Sequence, residues 1–209
     1  MSVESELITG WLRARSFARG LPAPVADHGG WRVDTQLPDE LQRYVFAGVE
    51  DGLRQLADEI VTPKIFLKLC GSEQELQALL PPRWQLQDLR YVMTGEDFCV
   101  DDISLAPGYT VQLTSSATAT TARILTDTGE LAASGDAAEH NGFFIYDRIA
   151  TQAEHRRRGL GACLMRALHS TRRSSASTQI LVATAAGQRL YSSLGWRIRS
   201  PYTTAHIPY

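Results

Sequence analysis

The chain has 209 residues, 44% hydrophobic and 21% charged, which is ordinary globular usage and excludes disordered and fibrous classes. Its formal net charge of -2 argues against a general polyanion binder, so any basic site must be local. Cys70, Cys99 and Cys163 form no CxxC pair and suggest neither a disulfide framework nor a metal site, and no apolar run of about 20 residues occurs. A soluble protein of a reducing cytoplasm, without membrane contact, is expected.

Leu7, Trp11, Ala14 and Phe17 share one helical face, which predicts an amphipathic helix over about 3–19, ended by Gly20-Leu-Pro-Ala-Pro. A short strand is expected at Trp31 to Thr35, then a helical region from Pro38 to about Ile60, with a break near Gly48 left open. A strand at Ile65 to Cys70, a helix at Ser72 to Leu80 opening on a capping-box pattern, and a strand near Leu89 to Thr94 follow. The acidic, turn-rich segment that begins at Thr94 and ends at Gly108 carries Glu96, Asp97, Asp101 and Asp102 and reads as a solvated linker. It divides the chain into an N-terminal helical, α/β region, 1–95, and a C-terminal domain, 96–209.

Beyond the linker, strands are expected at 109–114, 121–125 and 131–138, the last two joined by the turn signal Asp127-Thr-Gly129. The clearest strand of the set is Phe143 to Thr151. A helix then runs to about Arg173, a strand occupies Gln179 to Ala183, and a helix from Ala185 to Leu194 is stopped by Gly195. The order helix, strand, helix, Trp84, strand recurs as helix, strand, helix, Trp196, strand, so the N-terminal region is compatible with a degenerate half-repeat.

The segment Glu154-His-Arg-Arg-Arg-Gly-Leu-Gly-Ala-Cys-Leu-Met165 follows the clearest strand and becomes a helix at once. A strand running through a glycine turn into a helix presents unpaired N–H groups at the positive end of the helix dipole, a ready phosphate site. It is not the GxxxxGK[ST] loop, and the dinucleotide pattern GxGxxG fails because Leu164 stands at its last glycine. Arg156-Arg-Arg-Gly-Leu-Gly161 instead resembles the Arg/Gln-x-x-Gly-x-Gly/Ala loop of the GCN5-related N-acetyltransferase (GNAT) family, followed by the helix stripe Leu160, Leu164, Leu168. The strand Ile180 to Thr184, the helix with Arg189-Leu-Tyr191, and Leu194-Gly-Trp196 look like the later elements of that family in the right order.

The resemblance implies a mixed, mostly antiparallel α/β sheet flanked by helices, and an enzyme moving acetyl from acetyl-CoA to a primary amine in a ternary complex. It implies that Arg156, Arg157, Arg158, Gly159, Leu160 and Gly161 hold the pyrophosphate, that Ile149 and Thr151 bond the pantetheine arm, and that no metal takes part. Thr184 is a further cofactor-binding candidate, although it and Gly187 stand where many members carry Asn and Ala. Tyr191 falls on the general acid of the family, but it also fits an apolar helix face. Asp147 is a base candidate on the same strand face as Ile145 and Ile149, and an ion pair with Arg148 or another arginine is the competing reading; Glu139 and His140 stand behind it. Cys163 reads as a packing residue. The first strand and two helices usual in the family are not recognisable between Gly108 and Phe143, so the N-terminal half must wall the acceptor site or leave it open. That gap keeps a second reading, a non-catalytic acyl-CoA-binding module, in view; nucleic acid is disfavoured for want of an aromatic platform, and a homodimer is left open.

Overall fold

The computed structural model describes residues 4–96 and 104–208. Cys99, Asp97, Asp101 and Asp102 lie outside the described residues. In chain order the elements are α1 (Ser5–Ala18), β1 (Val25–Asp27), β2 (Gly30–Leu37), β3 (Glu40–Phe46), α2 (Asp51–Glu59), β4 (Ile65–Leu69), α3 (Glu73–Gln77), β5 (Gln85–Leu86) and β6 (Arg90–Thr94). Then come β7 (Tyr109–Ser115), β8 (Thr120–Thr126), β9 (Leu131–His140), β10 (Phe143–Thr151), a 3-10 turn at Ala153–His155, α4 (Leu160–His169), β11 (Thr178–Thr184), α5 (Ala185–Ser193) and β12 (Arg197–His206).

The strands form one mixed, mostly antiparallel sheet in the order β1-β2-β3-β4-β12-β6-β11-β10-β9-β8-β7, with β5 beside β12. Only β3 with β4 and β10 with β11 run parallel among the described pairs. Helices cover both faces. Leu160, Leu164 and Leu168 of α4 pack on Phe144 and Tyr146, while Leu7, Ile8, Trp11 and Leu12 of α1 pack on Ile145 and Ile180 from the other side. This is the period-two alternation of a strand buried on both faces. A third core joins Leu53 and Leu56 of α2 and Leu76 of α3 to Phe46, Leu67 and Leu69.

One expected helix is a strand. Glu40–Phe46 pairs antiparallel with β2 and parallel with β4 instead of forming the first part of a 38–60 helix. Its buried run Tyr44-Val45-Phe46 hides the alternation, because Tyr44 and Phe46 enter the α2 core while Val45 enters the α1 core. The only helical part of that region is α2. The capping box at α3 is present: Ser72 Oγ accepts from the Glu75 N–H at 3.2 Å, and the Glu75 carboxylate accepts from the Ser72 N–H at 2.7 Å. Helix α4 ends at His169, short of Arg173, because the carboxylate of Glu139 collects the N–H groups of Arg173 at 2.7 Å and Ser174 at 3.0 Å into a turn.

The two halves exchange strands. From the N-terminal half, β6 lies between β11 and β12; from the C-terminal half, the end of β12 lies between β4 and β5. Trp84 and Trp196 stand at matching places just before the exchanged segments, and both are buried.

Candidate active site

Three features of the chain open a gap in the sheet. Strands β10 and β11 pair only from Phe143 to Ile145 against Thr178 to Ile180, and beyond that point they part. A β-bulge falls between Asp147 and Ala150 on the β9 side, with Arg148 at φ 55°, so β10 bends as it leaves its neighbour. The edge of β10 carrying Ile149 and Thr151 therefore has no β11 partner, although Ala150 and Thr151 still pair with β9. The bulge also corrects a face assignment. Asp147 stays on the α1 side with Ile145, but Ile149 packs into the α4 core, since one extra residue in a strand reverses its alternation.

The glycine loop sits where β10 ends. Arg157 and Gly159 both have positive φ, 62° and 75°, and Gly159 caps α4 in the left-handed conformation that favours glycine. The Gly159 carbonyl accepts from the N–H groups of Ala162 and Cys163 at 3.1 and 3.2 Å. The N–H groups of Leu160 and Gly161 are the first-turn donors for which a helix has no acceptor of its own. At Gly161 a Cβ would come within 2.7 Å of the Leu190 side chain, so the residue is small because α4 packs tightly on α5 there. The arginines differ. Arg158 donates to the Tyr109 hydroxyl at 2.9 Å, and that hydroxyl also contacts buried His155 Nδ1 at 3.0 Å, which ties the loop to β7. Arg156 is exposed, and its described side-chain bond is a long one, 3.4 Å from Nε to the Thr151 carbonyl.

A cavity of about 280 Å³ passes through the gap. Tyr146, Leu181, Ala183 and Tyr191 line it from the α4 side, and Trp11, Val182 and Tyr202 from the α1 side. Ile149, Thr184 and Gly187 line it too, and Thr184 Oγ1 caps α5 by accepting from the Gly187 N–H at 3.1 Å. Tyr191 is 6% exposed, and burial pushes its phenol above the ordinary value, so it holds its proton at neutral pH.

Asp147 accepts from Arg19 Nε at 2.5 Å and Arg19 Nη2 at 2.9 Å, with Arg15 Nε at 3.8 Å. Burial acts to raise its carboxyl, but Arg15 and Arg19 outweigh this and hold it below the ordinary carboxylate value. Arg148 turns instead to Asp136 at 3.3 Å. Glu139 is taken up by the turn after α4, and His140 stacks on Phe17 at 4.3 Å, so both backup candidates are engaged elsewhere. Cys163 is buried against the Ser104 carbonyl at 3.1 Å, and burial raises its thiol.

Sequence reasoning missed a cationic group. Arg15, Arg19, Arg43, Lys68, Arg90 and Arg148 all line the cavity. Trp11 and Arg15 of α1 and its C-cap residue Arg19 recur every fourth residue, a spacing that could have marked one face. Arg43, Lys68 and Arg90 meet only through strand register, with Thr204 beside Lys68, and Arg90 between Tyr202 and Thr184. No local pattern announces that.

The family model described as an acetyltransferase (GNAT) domain matches residues 120–198. That segment of the chain is similar in sequence to a GNAT domain. A GCN5-related N-acetyltransferase from Kribbella flavida has a similar fold over 100% of this chain and 97% of its own, with a TM-score of 0.66 at 15% identity. A GNAT-family protein from Novosphingobium aromaticivorans covers 95% of each chain with a TM-score of 0.58 at 20% identity. A conserved protein of unknown function from Staphylococcus epidermidis covers 89% of this chain and 94% of its own, with a TM-score of 0.60 at 12% identity. These likenesses establish the GNAT fold across the N-terminal half as well. No curated protein sequence matches. The similarity to a GNAT domain supports an acyl-CoA-dependent acyltransferase in general terms. Among the described residues no helix is long and apolar enough to cross a membrane.

Proposed function

We propose that the protein transfers an acetyl group from acetyl-CoA to a primary amine by direct attack in a ternary complex. The observation that carries this reading is the opening between β10 and β11, which has the left-handed glycine loop at its end and Tyr191 in its wall. The residues present fit the cofactor. The N–H groups of Leu160 and Gly161, with those of the Arg157 to Gly159 turn, would hold the pyrophosphate at the positive end of α4, with Arg156 and Arg157 adding charge. The free edge of β10 at Ile149 and Thr151 suits the amide-bearing pantetheine arm, and Thr184 borders it on the opposite strand. Acetyl-CoA supplies an activated acetyl thioester.

Tyr191 is assigned as general acid: as the C–S bond breaks it gives its proton to the departing sulfur, and the tyrosinate so formed is reprotonated, directly or through water, by the proton that the amine nitrogen sheds as the amide forms. Asp147 is a poor base, because protonating its carboxylate would break two hydrogen bonds to Arg19. It is assigned instead to positioning Arg15 and Arg19. The nucleophile must be neutral, and surrounding cations shift an amine toward that form without a dedicated carboxylate. In a panel of amines with thiol-release detection, Tyr191→Phe should lower kcat by about 100-fold while changing acetyl-CoA affinity little. Unchanged turnover would remove Tyr191 as the acid. The engaged carboxylate also favours a second reading, a non-catalytic acyl-CoA-binding module, and acetyl-CoA binding without thiol release from any amine would select it.

We also propose that 1–95 is a degenerate half-repeat of 96–209. The reciprocal strand exchange and the paired Trp84 and Trp196 support it. Strand β4 pairs with β3 along its whole length, from Ile65 with Gln42 to Leu69 with Phe46, so these two strands do not part as β10 and β11 do.

A further inference from the structure

We infer that the acceptor amine carries an anionic group, a carboxylate or a phosphate, seated among Arg43, Lys68 and Arg90 on the α1 side of the cavity. The inference rests on the acyltransferase reading for the amine, while the anion site itself stands on its own geometry. Six cations line the cavity, and Asp147 is the only carboxylate doing so among the described residues. Asp147 is consumed by Arg19 and Arg15, and Arg148 by Asp136. Arg43 lies 2.5 Å from Glu40, whose other oxygen is 4.0 Å from Lys68, too far for a hydrogen bond. Arg90 has no carboxylate within ion-pair distance among the described residues, and it is exposed to the cavity solvent. One carboxylate thus serves two of these three cations and none serves the third.

The crowding is felt at Lys68. Burial lowers its ammonium to about 8, Glu40 opposes this, and Arg15, Arg90 and Arg19 add to the lowering. A cluster of like charges held together in a half-desolvated cavity is compensated by a bound anion, and guanidinium forks suit carboxylate and phosphate oxygens. These cations do not serve the cofactor pyrophosphate, because no residue from Arg156 to Gly161 lines the cavity. At about 280 Å³ the space is at the small end of ligand sites and suits a compact molecule. Its amine would face the gap near Tyr191, and its anionic end the three cations.

The probes are inorganic phosphate, followed by thermal melting with and without saturating coenzyme A, and matched acceptors, amino acids against their carboxamides. Phosphate should raise the melting temperature with coenzyme A present, and Arg90→Ala, at an exposed position, should weaken that effect about tenfold. The amino acid should be acetylated at least about tenfold more efficiently than its amide, with the preference lost in Arg90→Ala. A phosphate shift that Arg90→Ala and Lys68→Met leave intact, or equal turnover of both acceptors, overturns the inference while leaving the acyltransferase reading in place. If neither acceptor reacts but the phosphate shift is present and sensitive to Arg90, the anion site stands and the acyltransferase reading fails.

Discussion

Arg19, Arg15 and Asp147 form a unit whose loss should be seen in stability before chemistry. Asp147→Asn leaves two arginines facing each other, and it should cost about 1–3 kcal/mol in chemical denaturation. Because the Asp147 carboxyl is held below its unfolded value, the pairing stabilises the fold above that ordinary value, 3.8, and is lost as pH falls through the lower folded one. Wild type should therefore lose more stability than Asp147→Asn below about pH 4; parallel pH profiles would contradict the pairing. Lys68 has the opposite sign. Its lowered value means that the charged ammonium opposes folding below about pH 8, and that this opposition is relieved as pH rises from 8 toward 10.5. Lys68→Met, which can keep the contact with Phe66, should melt higher than wild type at pH 7, and a lower melt would mean that Lys68 is a net stabiliser through Glu40.

At the scale of elements, what was legible depended on how local the cause is. The glycine loop, the α4 stripe, the β8 to β9 hairpin and the α3 capping box are specified within a few residues, and their signals were read from sequence. Strand β3 was hidden because its apolar run is divided between two cores, which erases alternation. The β10 bulge was hidden because nothing local in Asp147-Arg148-Ile149-Ala150 announces an extra residue, so Ile149 was assigned to the wrong face. The cavity wall facing β10 and β11 comes from α1 together with β3, β4 and β12, which approach the gap only through tertiary packing. Gly161→Leu should clash with Leu190, widen the α4 to α5 contact and abolish acetyl-CoA binding while retaining a cooperative melt. Retained binding would move the pyrophosphate site away from the loop.

At the scale of the molecule, the exchange of β6 and β12 makes the two halves interdependent. A fragment of residues 96–209 lacks β6 and leaves β11 with an open edge, so it should show no cooperative melt, whereas a folded fragment would restore the boundary near residue 95 as a true domain limit. The central claim is that the β10 to β11 opening and its glycine loop bind an acyl-CoA. Thermal melting with acetyl-CoA tests it most directly. At about 100-fold excess over Kd, ligand linkage contributes about 2.7 kcal/mol, which should raise Tm by roughly 5–10 °C in a chain of this size. No shift at saturating acetyl-CoA would contradict the claim.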